Sequence, residues 1–177
     1  MNANGKPGPE ELAPFYHRYI DSCPWTDLEQ GLEGSWAAFH ALLMTVPPEK
    51  EGFRYAPGKW TVKQVVQHVI DTERVMAYRA LRFARNDASA LPGFEEDDWA
   101  AQATAETRTI PDLIAEAAAQ RKSSQLLFAS FDAAMLLRSG LANNAPCTTR
   151  ATGWIIIGHM LHHARILNER YLTHAQP

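Results

Sequence analysis

A chain of 177 residues with a net charge of −3 and an isoelectric point of about 6.1 is one domain by size and long enough to bury a sizeable core. That charge excludes a broad basic field for nucleic acid or an anionic membrane surface, and no apolar run approaches the roughly 18 residues of a membrane span. The two cysteines, Cys23 and Cys147, lie far apart and outside any CxxC spacing, which excludes a thiolate zinc site or a disulfide framework and suits a reducing cytoplasm.

Residues 1–9 are rich in Pro and Gly and read as a loose arm without the apolar core of a signal peptide. Residues 10–22 read as a short helix around Pro14, closed by Cys23-Pro24. Residues 1–24 are thus an arm with a short helix, and the main domain spans 25–177. A first long helix is expected over 26–46, opened by Thr26 and Glu29 as a capping box. Its apolar positions are Leu28, Leu32, Trp36, Phe39, Leu42, Leu43 and Val46, and Pro47-Pro48 stops it. Thr61 caps a second helix over 61–85, with Val62, Val65, Val69, Met76 and Phe83 on one face.

A long connection, 86–108, follows. Its acidic run, Glu95 to Asp98, reads as a solvated loop, because consecutive carboxylates lack the alternating spacing of a calcium loop. A third helix is expected over 109–133 with Pro111 in its first turn. Ser139-Gly140 and Asn143-Asn144-Ala145-Pro146 carry turn chemistry, and strand signals are almost absent. The fourth helix is expected over 151–172. The pattern is all-α: a four-helix bundle with a short extra N-terminal helix and a long connection between helices 2 and 3.

His159 and His163 are four residues apart in the last helix, so their imidazoles stack on one face together with Ile155, Ile156, Ile166 and Leu167. Imidazoles aimed into a core need partners, and a divalent metal accepts two at this spacing. His162 falls on the edge of that face and reads as outward. His68, between Val65 and Thr72 on the second helix, is the best third ligand. Glu73 lies near the opposite flank and Asp71 points away, while Arg79 reaches inward from the His68 side. His17, His40 and His174 carry no supporting pattern. The residue after His159 is Met160, so the HExxH of zinc proteases is absent. A plain hydrogen-bonded core is the other use of such histidines. Trp60 and Trp154 open the two histidine-bearing helices and can either wall a pocket or pack the core.

The segments Tyr55-Ala-Pro-Gly-Lys-Trp60 to His68-Val-Ile-Asp-Thr-Glu-Arg74, Tyr78 to Arg85, Leu91-Pro-Gly-Phe94, and Ile157-Gly-His-Met-Leu-His-His163 with Ile166 to Leu172 resemble the DinB/YfiT-like superfamily of metalloenzymes, in its DinB-like branch. The resemblance covers roughly residues 25–172. It implies a four-helix bundle, often a homodimer, with His68, His159 and His163 holding zinc or nickel. Where many relatives continue with His-Arg-Gly-Gln, this chain reads His163-Ala-Arg-Ile166. Three protein ligands leave a coordination position open, as catalytic sites do. The expected chemistry is hydrolysis of a small-molecule substrate or transfer of a low-molecular-weight thiol. Glu73 would be base or orienter, Arg79 would hold an anionic substrate group, and the 86–108 connection would act as a lid. The alternative is a non-catalytic metal-stabilised bundle that binds a small ligand or partner protein. An exchangeable water on the metal distinguishes the two.

Overall fold

The computed structural model describes residues 2–173; His174, named above, lies outside the described residues. Its elements are α1 (His17–Asp21), α2 (Leu28–Leu43), α3 (Val62–Ala84), α4 (Glu96–Gln102), α5 (Ile110–Ala129), α6 (Ala133–Leu137), β1 (Ser139–Ala142), β2 (Ala145–Thr148) and α7 (Thr149–Ile166). A wider, π-helical turn, Leu167–Leu172, continues α7. The four long helices are α2, α3, α5 and α7, so the expected bundle is present.

Helix starts follow side-chain chemistry. Thr61 accepts from the Gln64 amide while Gln64 Oε1 accepts from the Thr61 amide, a reciprocal cap. Thr109 and Asp112 repeat the device on α5. The first long helix begins later than Thr26, because the Asp27 carboxylate accepts from the amides of Glu29 and Gln30 and becomes the cap. The third ends at Ala129, and Asp132 caps the separate short α6.

Around the bundle the order is α2, α7, α3, α5, each packed on the next, with α5 closing on α2. Helices consecutive in sequence, α2 and α3 or α5 and α7, therefore stand on diagonals. A connection across a diagonal must run round a bundle end, which accounts for the long segments 44–61 and 130–148. The second of these holds a feature the sequence reading lacks: a two-stranded antiparallel hairpin, β1 with β2. Asn143 (φ 50°) and Asn144 (φ 60°) form its turn, with both central residues left-handed as two-residue hairpins require.

α7 is buried on all sides from Thr149 to Met160, so no single apolar face exists over its first three turns. The N-terminal segment covers its outer side. The Trp154 indole donates to Gly5 O at 3.0 Å, Arg150 pairs with Glu11, and Leu12, Ile20 and Cys23 join the core around Trp154. Over its described residues the arm is therefore fixed to the bundle, and it shares that core. Gly158 makes the close approach: a Cβ there would meet the Tyr19 carbonyl oxygen at 2.4 Å.

The centre of the bundle holds one ion pair. Arg121 on α5 donates from Nε and Nη2 to the two carboxylate oxygens of Glu73 on α3, each at 2.9 Å. The same guanidinium reaches Leu32 O and Ser35 Oγ on α2 and lies 3.2 Å from Met160 Sδ on α7. Removing one partner leaves the other buried and unpaired. Glu73→Ala is expected to cost about 3–5 kcal/mol in urea unfolding, with Glu73→Leu/Arg121→Met together costing less. A Glu73→Ala loss under about 1 kcal/mol would show that the pair does not brace the bundle.

Candidate metal centre

His68 reaches the interior from the second turn of α3, and His159 and His163 from consecutive turns of α7, the helix packed directly against it. Their ring nitrogens converge. His68 Nε2 is 3.0 Å from His159 Nε2, and His163 Nε2 is 3.1 Å from the same atom. All three ligand atoms lie within 4.8 Å of one another. His159 is buried; His68 and His163 are half-buried.

This geometry has no good solution in hydrogen bonds alone. An imidazole nitrogen carries either one proton or one in-plane lone pair. His159 Nε2 can therefore complete one linear hydrogen bond, and it has two neighbours at that distance. A cation at their common centre would use all three lone pairs. Metal–nitrogen bonds of about 2.0–2.1 Å at angles between right and tetrahedral put nitrogens about 2.9–3.4 Å apart, and the two measured separations fall in that window. The donor set fits a divalent ion.

The electrostatics favour the neutral, ligating form. Burial first, then the neighbouring His163, His68 and His162, hold His159 well below the ordinary histidine range. Burial, with His68 and His162 beside it, does the same for His163. Burial pushes His68 down to about 4, with Asp97 opposing and His162 assisting the shift.

The trio lines a cavity of about 160 Å³. Phe15, Tyr16 and Tyr19 of the N-terminal segment form one side, and Thr72, Met76 and Arg79 of α3 another. Gly93, Phe94 and Glu96 of the 86–108 connection and Asn143 of the hairpin turn complete the mouth. His162 also lines the cavity, half-buried against the Tyr19 ring at 5.1 Å. It thus sits at the edge rather than outside.

Other expectations land elsewhere. Glu73 has both oxygens on Arg121 and does not line the cavity, so the brace, and not proton transfer, is its place. Trp60 lies beside His68 with tilted rings and centroids 4.7 Å apart, whereas Trp154 donates to Gly5 O. The acidic run forms the first turn of α4, and among the described residues it belongs to no metal-sized cluster. The 86–108 connection is not a loose lid. Leu91 exchanges backbone hydrogen bonds with Leu141 and Asn143, and α4 hangs on Gln64 through Ala100 O. The sequence reading missed Phe15, Tyr16, Tyr19 and Asn143. Their segments are too short for periodicity, although the cluster Phe15-Tyr16-His17-Arg18-Tyr19 was a visible aromatic signal.

His159→Ala is expected to abolish bound metal; plasma mass spectrometry showing unchanged zinc and nickel in that variant would refute the centre. Chelated protein should lose stability as pH falls from 6.5 towards about 4. Over that window unfolded histidines take up protons that the folded trio refuses, so the unfolded state binds more. Thermal melts across the window check it, and His159→Leu should flatten the slope.

Among solved structures the chain is similar to YfiT from Bacillus subtilis, described as a probable metal-dependent hydrolase with an unusual four-helix bundle topology. The TM-score is 0.70 at 17% identity, over 96% of this chain and 95% of that one. At that identity the likeness speaks for the fold alone. No curated protein sequence matches the chain significantly. The sequence profile of the DinB superfamily matches residues 31–167, a span that runs from α2 through all three converging histidines. On that match the chain belongs to the DinB superfamily.

Proposed function

We propose that this protein is a divalent-metal-dependent hydrolase of a small-molecule substrate, with His68, His159 and His163 holding zinc or nickel at the floor of the aromatic cavity. The observation that carries the reading is the meeting of three imidazole nitrogens, which their own hydrogen bonding cannot satisfy. Among the described residues the cluster has three members and no fourth protein ligand. Structural zinc is usually closed by four, and catalytic zinc keeps a position open. That contrast supports an enzyme over a metal-stabilised binding bundle.

When bound, such an ion supplies a Lewis acid that lowers the pKa of water towards about 7. The chain's own residues supply the rest. His159 is set edge-on to the Tyr19 ring at 5.9 Å, which fixes its plane and shields it from solvent. The Trp60 ring lies beside His68 at a tilt, with centroids 4.7 Å apart. Outside the trio, the His162 imidazole and the Glu96 carboxylate line the same cavity and are the side chains assigned to proton transfer. They take the role that Glu73 cannot fill.

Transfer of a low-molecular-weight thiol is the second chemistry open to the same centre. The thiol would come from outside the chain, because burial pushes Cys23 up to about 11 and Cys147 up to about 12. The test is a panel of nitrophenyl esters and anilides, with and without added thiol, on metal-loaded protein. Turnover should fall by at least about 100-fold on chelation or in His159→Ala, and return with zinc or nickel in the chelated wild type alone. Turnover indifferent to chelation would overturn the proposal.

A further inference from the structure

Four residues of α3 line the cavity in one stripe: His68, Thr72, Met76 and Arg79, spaced by four, four and three. His68 belongs to the metal trio, and Thr72 and Arg79 carry polar groups that the fold leaves underused. Thr72 is 5% exposed, and its hydroxyl has no hydrogen-bond partner. A mid-helix threonine ordinarily returns its hydroxyl to the carbonyl four residues back; this one does not. Arg79 is 4% exposed. Its guanidinium donates to Pro92 O at 2.8 Å, lies 3.8 Å from Met76 Sδ and interacts with the Tyr16 hydroxyl. Among the described residues no carboxylate forms an ion pair with it. The contrast with Arg121 is sharp, since that buried arginine has a bidentate glutamate. A buried cation without a counter-charge is expensive. Glu96 lines the mouth but is exposed, so solvent screens its charge.

We propose that Arg79 and Thr72 form an anion subsite, and that the substrate is an elongated small acid whose anionic group sits on Arg79 while its reacting group lies at the three histidines. The proposal rests on the metal-dependent reading for the reacting end only. His68 and Arg79 are eleven residues apart, a rise of about 16 Å along the helix. The contact with Met76, one turn nearer His68, shows that the arginine stem runs back towards the metal end. The anionic and reacting groups are therefore several bonds apart in the ligand. The rings of Phe15, Tyr16 and Phe94 on the facing walls suit a flat apolar body between them. Thr72, midway along the stripe, offers the body or the anion a hydroxyl donor.

The probes are 3-phenylpropionate and its neutral amide, titrated calorimetrically into wild type, Arg79→Gln, Arg79→Lys and Thr72→Val, each metal-loaded and chelated. Melting temperature and metal content are measured for every variant. Wild type is expected to prefer the acid by at least about tenfold. Arg79→Gln should lose that preference, Arg79→Lys should keep part of it, and Thr72→Val should weaken acid binding several-fold. A structural role alone would move the melting temperature and leave the acid–amide ratio in place. Equal binding of acid and amide by wild type, absence of acid binding, or an Arg79→Gln variant that binds the acid like wild type would each overturn the subsite. Acid binding that disappears on chelation but survives Arg79→Gln would place the anion on the metal and also overturn it. Should Arg79→Gln fail to fold, the wild-type ratio in the chelated protein and the Arg79→Lys titration decide. Failure of metal binding leaves the chelated comparison intact, so the two readings fall separately.

Discussion

A single guanidinium touches all four long helices. Arg121 leaves α5, takes both oxygens of Glu73 on α3, meets a carbonyl and a hydroxyl on α2, and rests against Met160 on α7. Such a contact fixes more than separation. A bidentate pair tolerates little rotation of either helix, and Met160 is the residue next to His159. The rotation of α7, and with it the direction of His159, is tied to the orientation of α3 through this group. Apolar packing alone is more permissive, because side chains of similar volume can exchange contacts with small loss. The polar centre therefore supplies register to a site that needs nitrogens placed to within a few tenths of an ångström.

The diagonal order of the helices has a second effect. Placing α2 and α3 on either side of α7 surrounds the last helix, and the N-terminal segment closes its remaining side. A histidine in a helix so enclosed loses water, and burial is the main cause that holds His159 and His163 well below the ordinary histidine range. The cavity is then assembled from the ends of segments remote in sequence: the N-terminal aromatics, one stripe of α3, the connection before α4 and the hairpin turn. Each contributes a wall, and α3 and α7 contribute the three histidines.

What the sequence made legible was periodic or chemically marked. The four long helices follow from apolar spacing and from Thr61 and Pro111. His68, His159 and His163 follow from a shared inward direction together with the family's motif. The places where inference stopped have physical reasons. Glu73 sits on a flank that faces the interior but turns to Arg121, and no pattern along α3 announces a partner on α5. The hairpin strands are four residues each, too short for alternation to show; only their Asn143-Asn144 turn was marked. The N-terminal arm looked loose because Pro and Gly dominate it. Its order comes from backbone carbonyls, Asn4 and Gly5, that receive donors from Leu28 and Trp154, and carbonyls are invisible to residue-type reasoning.

Gly158 stands one residue before the central ligand, and its missing side chain lets the α1 backbone sit against α7. Tyr19, whose carbonyl makes that approach, also carries the ring that meets His159 and His162 edge to face, and the Phe15 and Tyr16 rings lie beside it. The close approach that places the Tyr19 ring thus depends on the absence of a Cβ at Gly158. A methyl at that point would meet the Tyr19 backbone, so one of the two helices would have to shift. The position of the Tyr19 ring at the cavity wall is in this sense set from behind, by a residue that does not itself line the cavity.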